Sequence, residues 1–248
     1  MLGHRGARHA APENTFAAFD LALAEGADGV ELDVRLNASG DVVVCHDVTL
    51  ERVTEGRDTR AIHQLTSSEC RSIRLSRNEP LPFLVDVLDW AEQHHACLNV
   101  ELKVDGRRRS ELVLAVARLT SERAAADNVL ISCFNPLVLL VHATLAPNIP
   151  TAWLVDSRRL AAWPLLTWTG NAALHPKHSL ITAASISVWR RQARRVHAWT
   201  VNDPARACEL AALGVDCLIS DNPGVLLSAL VPAARMADPD ARRGELAK

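Results

Sequence analysis

Gly26-Ala27-Asp28-Gly29-Val30-Glu31-Leu32-Asp33-Val34-Arg35-Leu36 runs from a helix stop into a strand whose two faces need different surroundings. Gly26 is the residue type that ends a helix, because it enters the left-handed region without a Cβ penalty. From Gly29 the chain follows the two-residue period of a strand. Glu31 and Asp33 then share one face, and Val30, Leu32 and Val34 share the other. The apolar face suits a covering layer of helices. The acidic face survives inside a protein only where a compensating charge meets it. A closed barrel of parallel strands offers both surroundings: one strand face looks to an outer ring of helices, the other into the barrel. Polar groups at the carboxyl ends of its strands form the site.

In both directions from this segment, strand and helix patterns alternate. Leu2-Gly3-His4-Arg5-Gly6 reads as a strand running into a loop. Asn14–Glu25 reads as a helix with Phe16, Phe19 and Leu23 on one face. Asp41–His46 is strand-like and joined to Gly29–Leu36 by Asn37-Ala38-Ser39-Gly40, which has the turn chemistry of a hairpin. Downstream the pattern predicts helix Phe83–His95, strand Cys97–Val104, helix Arg109–Ala124 and strand Asn128–Phe134. Asn135-Pro136 starts a helix over Leu137–Thr144. Strand Thr151–Val155, helix Leu160–Trp168, strand Ala172–His175 and helix Ala183–Ala193 follow. Strand Arg195–Val201, helix Pro204–Leu213, strand Asp216–Ser220 and helix Pro223–Leu230 complete the series. With the hairpin strand set aside, eight β/α units in 248 residues match the size of a (β/α)₈ TIM barrel. A doubly wound open sheet would need a glycine-rich phosphate loop after the first strand, and none is present. Gly26-Ala27-Asp28-Gly29-Val30 is echoed by Gly214-Val215-Asp216-Cys217-Leu218, which points to repeated turn geometry at two helix-to-strand junctions.

The organisation expected is a single barrel domain over residues 1–236 and a flexible charged tail over 237–248. Residues 51–82 form a small insertion after the second β/hairpin unit, with Thr66-Ser67-Ser68-Glu69 as a capping box inside it. A formal net charge of -2, without any basic stripe, argues against nucleic acid as a partner. Cys45, Cys70, Cys97, Cys133, Cys208 and Cys217 form no C-x-x-C pair and read as reduced, buried thiols. Apolar stretches such as Pro136–Ala146 fall short of the roughly 20 residues a membrane span needs, so no stable membrane insertion is expected and the cytoplasm is the default location.

The polar residues expected at the carboxyl ends of the strands are His4 and Arg5 on the first, and Glu31 and Asp33 on the second. His46 ends the hairpin strand. Glu101 and Lys103 lie on the third strand of the barrel, Ser132 and Phe134 on the fourth, and Trp199 and Asn202 on the seventh. Three carboxylates with water make a hard-oxygen site suited to Mg²⁺ or Ca²⁺ rather than Zn²⁺. Mg²⁺ is the first choice because it is abundant in cytosol. Structural ion pairs of Glu31 or Glu101 with Lys103 or Arg5 are the alternative. His4 and His46 on the same rim suggest a general base and a general acid, with Arg5 and Lys103 on phosphate oxygens. Trp199 is either core or an aromatic wall against a leaving group. His175, before Pro176, is ambiguous, and the remaining histidines read as surface or packing residues.

Gly3-His4-Arg5-Gly6, Pro12-Glu13-Asn14-Thr15, Gly26–Val34 and Val43-Val44-Cys45-His46-Asp47 resemble the N-terminal signature of the glycerophosphodiester phosphodiesterase family. The likeness continues through Asn99-Val100-Glu101-Leu102-Lys103, Ser132-Cys133-Phe134, Trp199-Thr200-Val201-Asn202 and Ser220-Asp221-Asn222-Pro223. It implies a TIM barrel with an insertion after the His46 strand. It also implies hydrolysis of small glycerophosphodiesters, such as glycerophosphocholine or glycerophosphoethanolamine, to glycerol 3-phosphate and an alcohol. The family's roles fall on Glu31, Asp33 and Glu101 as metal ligands, His4 and His46 as the acid/base pair, and Arg5 and Lys103 as phosphate contacts. The chain departs from the family in its short, arginine-rich insertion and in the Cys133 interposed between Ser132 and Phe134. A barrel lipase acting on lysophospholipids is the neighbouring alternative, against which four phenylalanines and no tyrosine weigh. A catalytically silent barrel is a third, which need not keep two histidines beside three carboxylates.

Overall fold

The computed structural model describes residues 1–104, 108–123, 128–156, 172–191 and 195–237. Nine strands form one sheet: β1 (Leu2–His4), β2 (Gly29–Leu36), β3 (Val42–Val44), β4 (Cys97–Leu102), β5 (Val129–Cys133), β6 (Thr151–Val155), β7 (Ala173–Pro176), β8 (Arg195–Ala198) and β9 (Cys217–Ser220). Their order is β1-β9-β8-β7-β6-β5-β4-β2-β3, and β1 also pairs with β2. That last pairing closes eight parallel strands into a barrel, and β3 hangs antiparallel on the outer length of β2, with Val34 opposite Val44. The fold is the expected TIM barrel with its hairpin.

The helices are α1 (Phe16–Ala24), α2 (Ser67–Ser72), α3 (Leu84–His94), α4 (Arg109–Glu122), α5 (Pro136–Leu145), α6 (Ala183–Arg191), α7 (Pro204–Ala212) and α8 (Pro223–Ala237). The helix expected over Leu160–Trp168 and the tail beyond residue 237 lie outside the described residues. Val30, Leu32 and Val34 of β2 are fully buried in the main core with Phe19 of α1 and Leu84 and Val87 of α3. Each such side chain contributes about 1.5–3 kcal/mol by leaving water. The glycines of the two echoed junctions both take positive φ, +93° at Gly26 and +81° at Gly214. Each follows a helix end and donates its N–H to a carbonyl of the last turn, to Leu23 and to Ala211.

Several boundaries shift. Four strands (β3, β4, β5 and β8) stop one to three residues early at the carboxyl end, so His46, Lys103, Phe134 and Trp199 lie just past their strands, while β2, β6 and β9 end where expected and β7 runs one residue on to Pro176. α1 begins later than expected because Asn14 sits at φ +56°, and Thr15 caps the helix by accepting from Ala18 N–H. α8 runs on through Pro232 to Ala237 rather than stopping at Leu230. The six cysteines are all free, but burial holds only for some. Cys45, Cys70 and Cys133 are buried, Cys208 and Cys217 partly so, and Cys97 is exposed because it opens β4 at the amino end of the barrel.

Residues between β3 and α3 gather a second apolar cluster, including Leu50, Ile62, Leu65, Cys70 and Leu75, against Val43 and Phe83. The capping box at Thr66 and Glu69 starts α2 as the sequence predicts. Among the described residues no helix is long and apolar enough to cross a membrane.

Candidate active site

The carboxyl ends of the strands surround a cavity of about 180 Å³ lined by His4, Arg5, Glu31, His46, Glu101, Lys103 and Trp199 among others. Seven of the eight residues given a chemical role from the sequence therefore meet in one place, and Phe134 joins them. The eighth, Asp33, lies behind the cavity wall at 1% exposure. Glu31, Asp33 and Glu101 are all buried, and each offers an oxygen within 4.8 Å of the others.

Local backbone geometry aims these groups. After β1 the chain turns through Arg5 at φ +58° and Gly6 at φ +82°. A non-glycine residue in the left-handed region is strained, and such strain persists where surrounding contacts fix it. Here the Arg5 N–H donates to the Glu31 carbonyl at 2.8 Å and to its Oε2 at 3.1 Å. Gly6 has no room for a side chain, since a Cβ would lie 2.6 Å from the Ala18 backbone. The hairpin is tied in by Cys45 N–H on the Asp33 carbonyl, and Arg35 donates twice to the His46 carbonyl, at 2.9 and 2.6 Å.

The three carboxylates are not equivalent. Asp33 receives Lys103 Nζ at 2.9 Å on Oδ1 and Asn14 Nδ2 at 3.0 Å on Oδ2. Arg5 Nε also lies 3.0 Å from Oδ2, as an ion pair without the alignment of a hydrogen bond. Burial alone would raise this carboxyl, but Lys103 and then Arg5 hold it far below the usual range. Among the described residues Glu101 is paired with Lys103 alone, at 2.6 Å, and burial together with Asp33 pushes it up to about 7. Burial, then Asp33 and Glu101, push Glu31 well above the carboxylate range, and among the described residues its ion-pair partner is His4 Nε2 at 3.9 Å. With all three carboxyls ionised, the site would carry more buried negative charge than Arg5 and Lys103 neutralise. A hard divalent cation bound by oxygen ligands fits that donor set and that excess. The structural ion pairs weighed as the alternative are also present, through Lys103 and Arg5.

Both histidines are oriented from behind. His4 Nδ1 lies 2.6 Å from Asp221 Oδ1, and His46 Nδ1 lies 2.7 Å from Asp47 Oδ1. Burial opposes ionisation of these aspartates, but Arg52 and His46 hold Asp47 down to about 2, and His4 and Asn202 keep Asp221 low. An ionised carboxylate only accepts, so each Nδ1 carries the proton and Nε2 is the free end of each ring. Burial lowers His46 despite the opposing pull of Asp33, which favours the neutral ring. Trp199 Nε1 donates to the His175 carbonyl at 2.6 Å, and its ring stands edge-on to Phe134 at 5.5 Å. That fixes it as a wall of the cavity. His175 itself is fully buried inside the barrel, 4.7 Å from His197 between ring centroids.

Residues 4–225 match the model of the Glycerophosphoryl diester phosphodiesterase family. The chain belongs to that family. It is an enzyme, a phosphoric diester hydrolase. The uncharacterized protein YqiK of Bacillus subtilis is 31% identical over 230 residues, covering 90% of this chain and 95% of that protein. A glycerophosphodiester phosphodiesterase of Caldanaerobacter subterraneus is 27% identical, covering 92% and 96%. Among solved structures, an Oleispira antarctica phosphodiesterase in complex with the product sn-glycerol-3-phosphate is 29% identical. It superposes with a TM-score of 0.85 over 92% of this chain and 95% of that one.

The sequence put Asn202 on the rim but disclosed neither its partner nor the other supporting contacts. Asn14 on Asp33, Asp221 on His4 and Asn202 on Asp221 come from loops remote in the chain. Asp47 alone was within reach, as the residue after His46.

Proposed function

We propose that this phosphodiesterase hydrolyses small glycerophosphodiesters, such as glycerophosphocholine or glycerophosphoethanolamine, to glycerol 3-phosphate and an alcohol in the cytoplasm. The observation that carries the reading is the pairing of two aspartate-backed imidazoles with three buried carboxylates around a single small cavity. Glu31, Asp33 and Glu101 would hold a divalent ion, Mg²⁺ first and Ca²⁺ second, and when bound it supplies positive charge to the phosphodiester oxygens.

Arg5 and Lys103 share the phosphate with that charge, one as a planar fork and one as a point charge. One imidazole takes a proton at Nε2 from the nucleophile, either water or the glycerol hydroxyl beside the phosphate. The other enters the step as the imidazolium, with Nδ1–H held by its aspartate and a second proton at Nε2, and gives that second proton to the leaving alcohol. Asp47 and Asp221 keep both rings turned to their tasks and stabilise whichever becomes imidazolium. Trp199 closes the cavity against the leaving group and excludes water.

The test is a single assay. The protein is incubated with glycerophosphocholine and, separately, lysophosphatidylcholine, each with Mg²⁺, Ca²⁺ or chelator; glycerol 3-phosphate from the first is followed through a coupled dehydrogenase, and choline release is followed from both. Metal-dependent release from glycerophosphocholine is expected. Turnover unchanged by chelator, or no turnover with any ion, would defeat the proposal.

A further inference from the structure

We propose that Glu13 is the positioning residue that locks the two imidazoles and Arg5 into one framework. Three guanidinium groups converge on this one carboxylate, whose side chain is 11% exposed. Arg5 Nη1 reaches Oε1 at 2.9 Å. Arg52 grips both oxygens as a fork, Nη2 to Oε1 at 2.7 Å and Nη1 to Oε2 at 2.9 Å. Arg8 Nη1 lies 3.4 Å from Oε2.

Two of these arginines pass the constraint on to a histidine. Arg52 Nε donates to Asp47 Oδ2 at 2.6 Å, and Asp47 Oδ1 holds His46. Arg8 Nε lies 3.2 Å from Asp221 Oδ1, the same oxygen that holds His4. The result is one chain of charged contacts, His46–Asp47–Arg52–Glu13–Arg8–Asp221–His4, with Arg5 attached at its midpoint. His4 comes from the barrel and His46 from the hairpin outside it. Glu13 is the point at which the two halves are set at a fixed separation.

A glutamate is suited to this position and its closest substitutes are not. The two oxygens of a carboxylate offer about four acceptor sites, enough for three guanidinium groups. A glutamine keeps the shape but turns an NH₂ donor toward arginines that only donate. An aspartate is one methylene too short to keep the Arg52 fork and Arg5 together.

This inference rests on the reading of His4 and His46 as the acid/base pair, but it can be tested without turnover. Long-range ¹⁵N–¹H spectra of the imidazole nitrogens, taken on the intact protein at pH 8, report the tautomer of each ring. Both rings are expected as fixed Nδ1–H tautomers in the parent protein. Glu13→Gln is expected to mix the tautomers of both, Arg8→Gln of His4 only, and Arg52→Gln of His46 only. Arg8 and Arg52 are partly exposed, so their variants keep the test decisive if Glu13→Gln fails to fold. In kinetics, Glu13→Gln is expected to lower kcat about ten- to a hundredfold. KM should rise less, because Arg5 retains Asp33. Rings that stay fixed in Glu13→Gln, or a loss confined to one ring, would overturn the proposal. So would arginine variants that leave both rings unchanged. A parent protein without turnover would count against the proposed reaction, and the spectra would still decide for or against Glu13.

Discussion

Asp221→Asn isolates the charge behind His4 while preserving shape. Asp221 Oδ1 holds His4 Nδ1 at 2.6 Å and Arg8 Nε at 3.2 Å, and Oδ2 accepts from Asn202 Nδ2 at 2.7 Å. The Asn202 oxygen is itself occupied by Asp221 N–H at 3.0 Å and Ser220 Oγ at 3.2 Å, so Asn202 cannot turn round to accept. An asparagine at 221 has one acceptor atom facing donors on both sides. Its oxygen goes to the His4 and Arg8 side, where two donors wait, and its NH₂ meets that of Asn202. The His4 contact survives as a neutral hydrogen bond. The difference between a charge-assisted and a neutral bond is about 1–2 kcal/mol, felt when the ring is imidazolium. At about 1.4 kcal/mol per decade, kcat falls roughly five- to thirtyfold. KM is expected to stay within about twofold of the parent value, because Asp221 does not line the cavity that takes the substrate. The clash with Asn202, in a partly exposed spot, lowers stability by about 1 kcal/mol. Steady-state release of glycerol 3-phosphate from glycerophosphocholine measures the first two, and urea denaturation the third. A kcat within twofold of the parent enzyme would refute the role of Asp221.

Divalent-ion binding is expected to release protons below neutrality, because Glu31 and Glu101 are held protonated above their ordinary range and must ionise to act as ligands. Affinity should therefore fall as pH drops through about 7, where Glu101 takes up its proton. Calorimetric titration at pH 6 in two buffers of different ionisation enthalpy checks this, and identical heats would contradict it. His142 is fully buried, its two ring nitrogens have no hydrogen-bond partner among the described residues, and burial lowers it to about 4. Its stabilising effect is complete above 6.5 and is lost as pH falls toward 4, at about 1.4 kcal/mol per unit. His142→Leu is expected to shrink the stability difference between pH 7 and pH 5 by about 2 kcal/mol, read from urea midpoints. An unchanged difference would show the ring to be already charged. Gly6→Ala places a methyl group on the Ala18 backbone at a positive φ. A loss of at least about 2 kcal/mol, with activity falling further as Arg5 and His4 are displaced, is expected from thermal and kinetic measurements on the purified variant. Wild-type behaviour would mean that the turn relaxes freely.

The barrel was legible because its signal is periodic and local. Val30, Leu32 and Val34 against Glu31 and Asp33 state within five residues which face meets helices and which meets the interior. The same alternation placed Glu101 beside Lys103. What the sequence did not disclose depends on closure or on backbone strain. Asp221 reaches His4 across 217 positions, and no local pattern announces such a contact. Asn14 presents its amide to Asp33 from a left-handed residue just ahead of α1, where a helix start was the simpler expectation. The strand ends moved because His46, Phe134 and Trp199 keep strand-like composition past the last ladder bond. α8 continues past Leu230 to Ala237, with Pro232 inside it.

The closure of β1 against β9 has a consequence for the order in which the protein becomes competent. His4 is synthesised 217 residues before its partner Asp221, which directly follows the strand that seals the barrel. A nascent or truncated chain lacking β9 would hold Arg5, Glu31, Asp33 and His46 near one another, yet would leave His4 free to rotate. On the roles proposed above, one of the two proton-handling groups is therefore positioned only once β9 has joined β1.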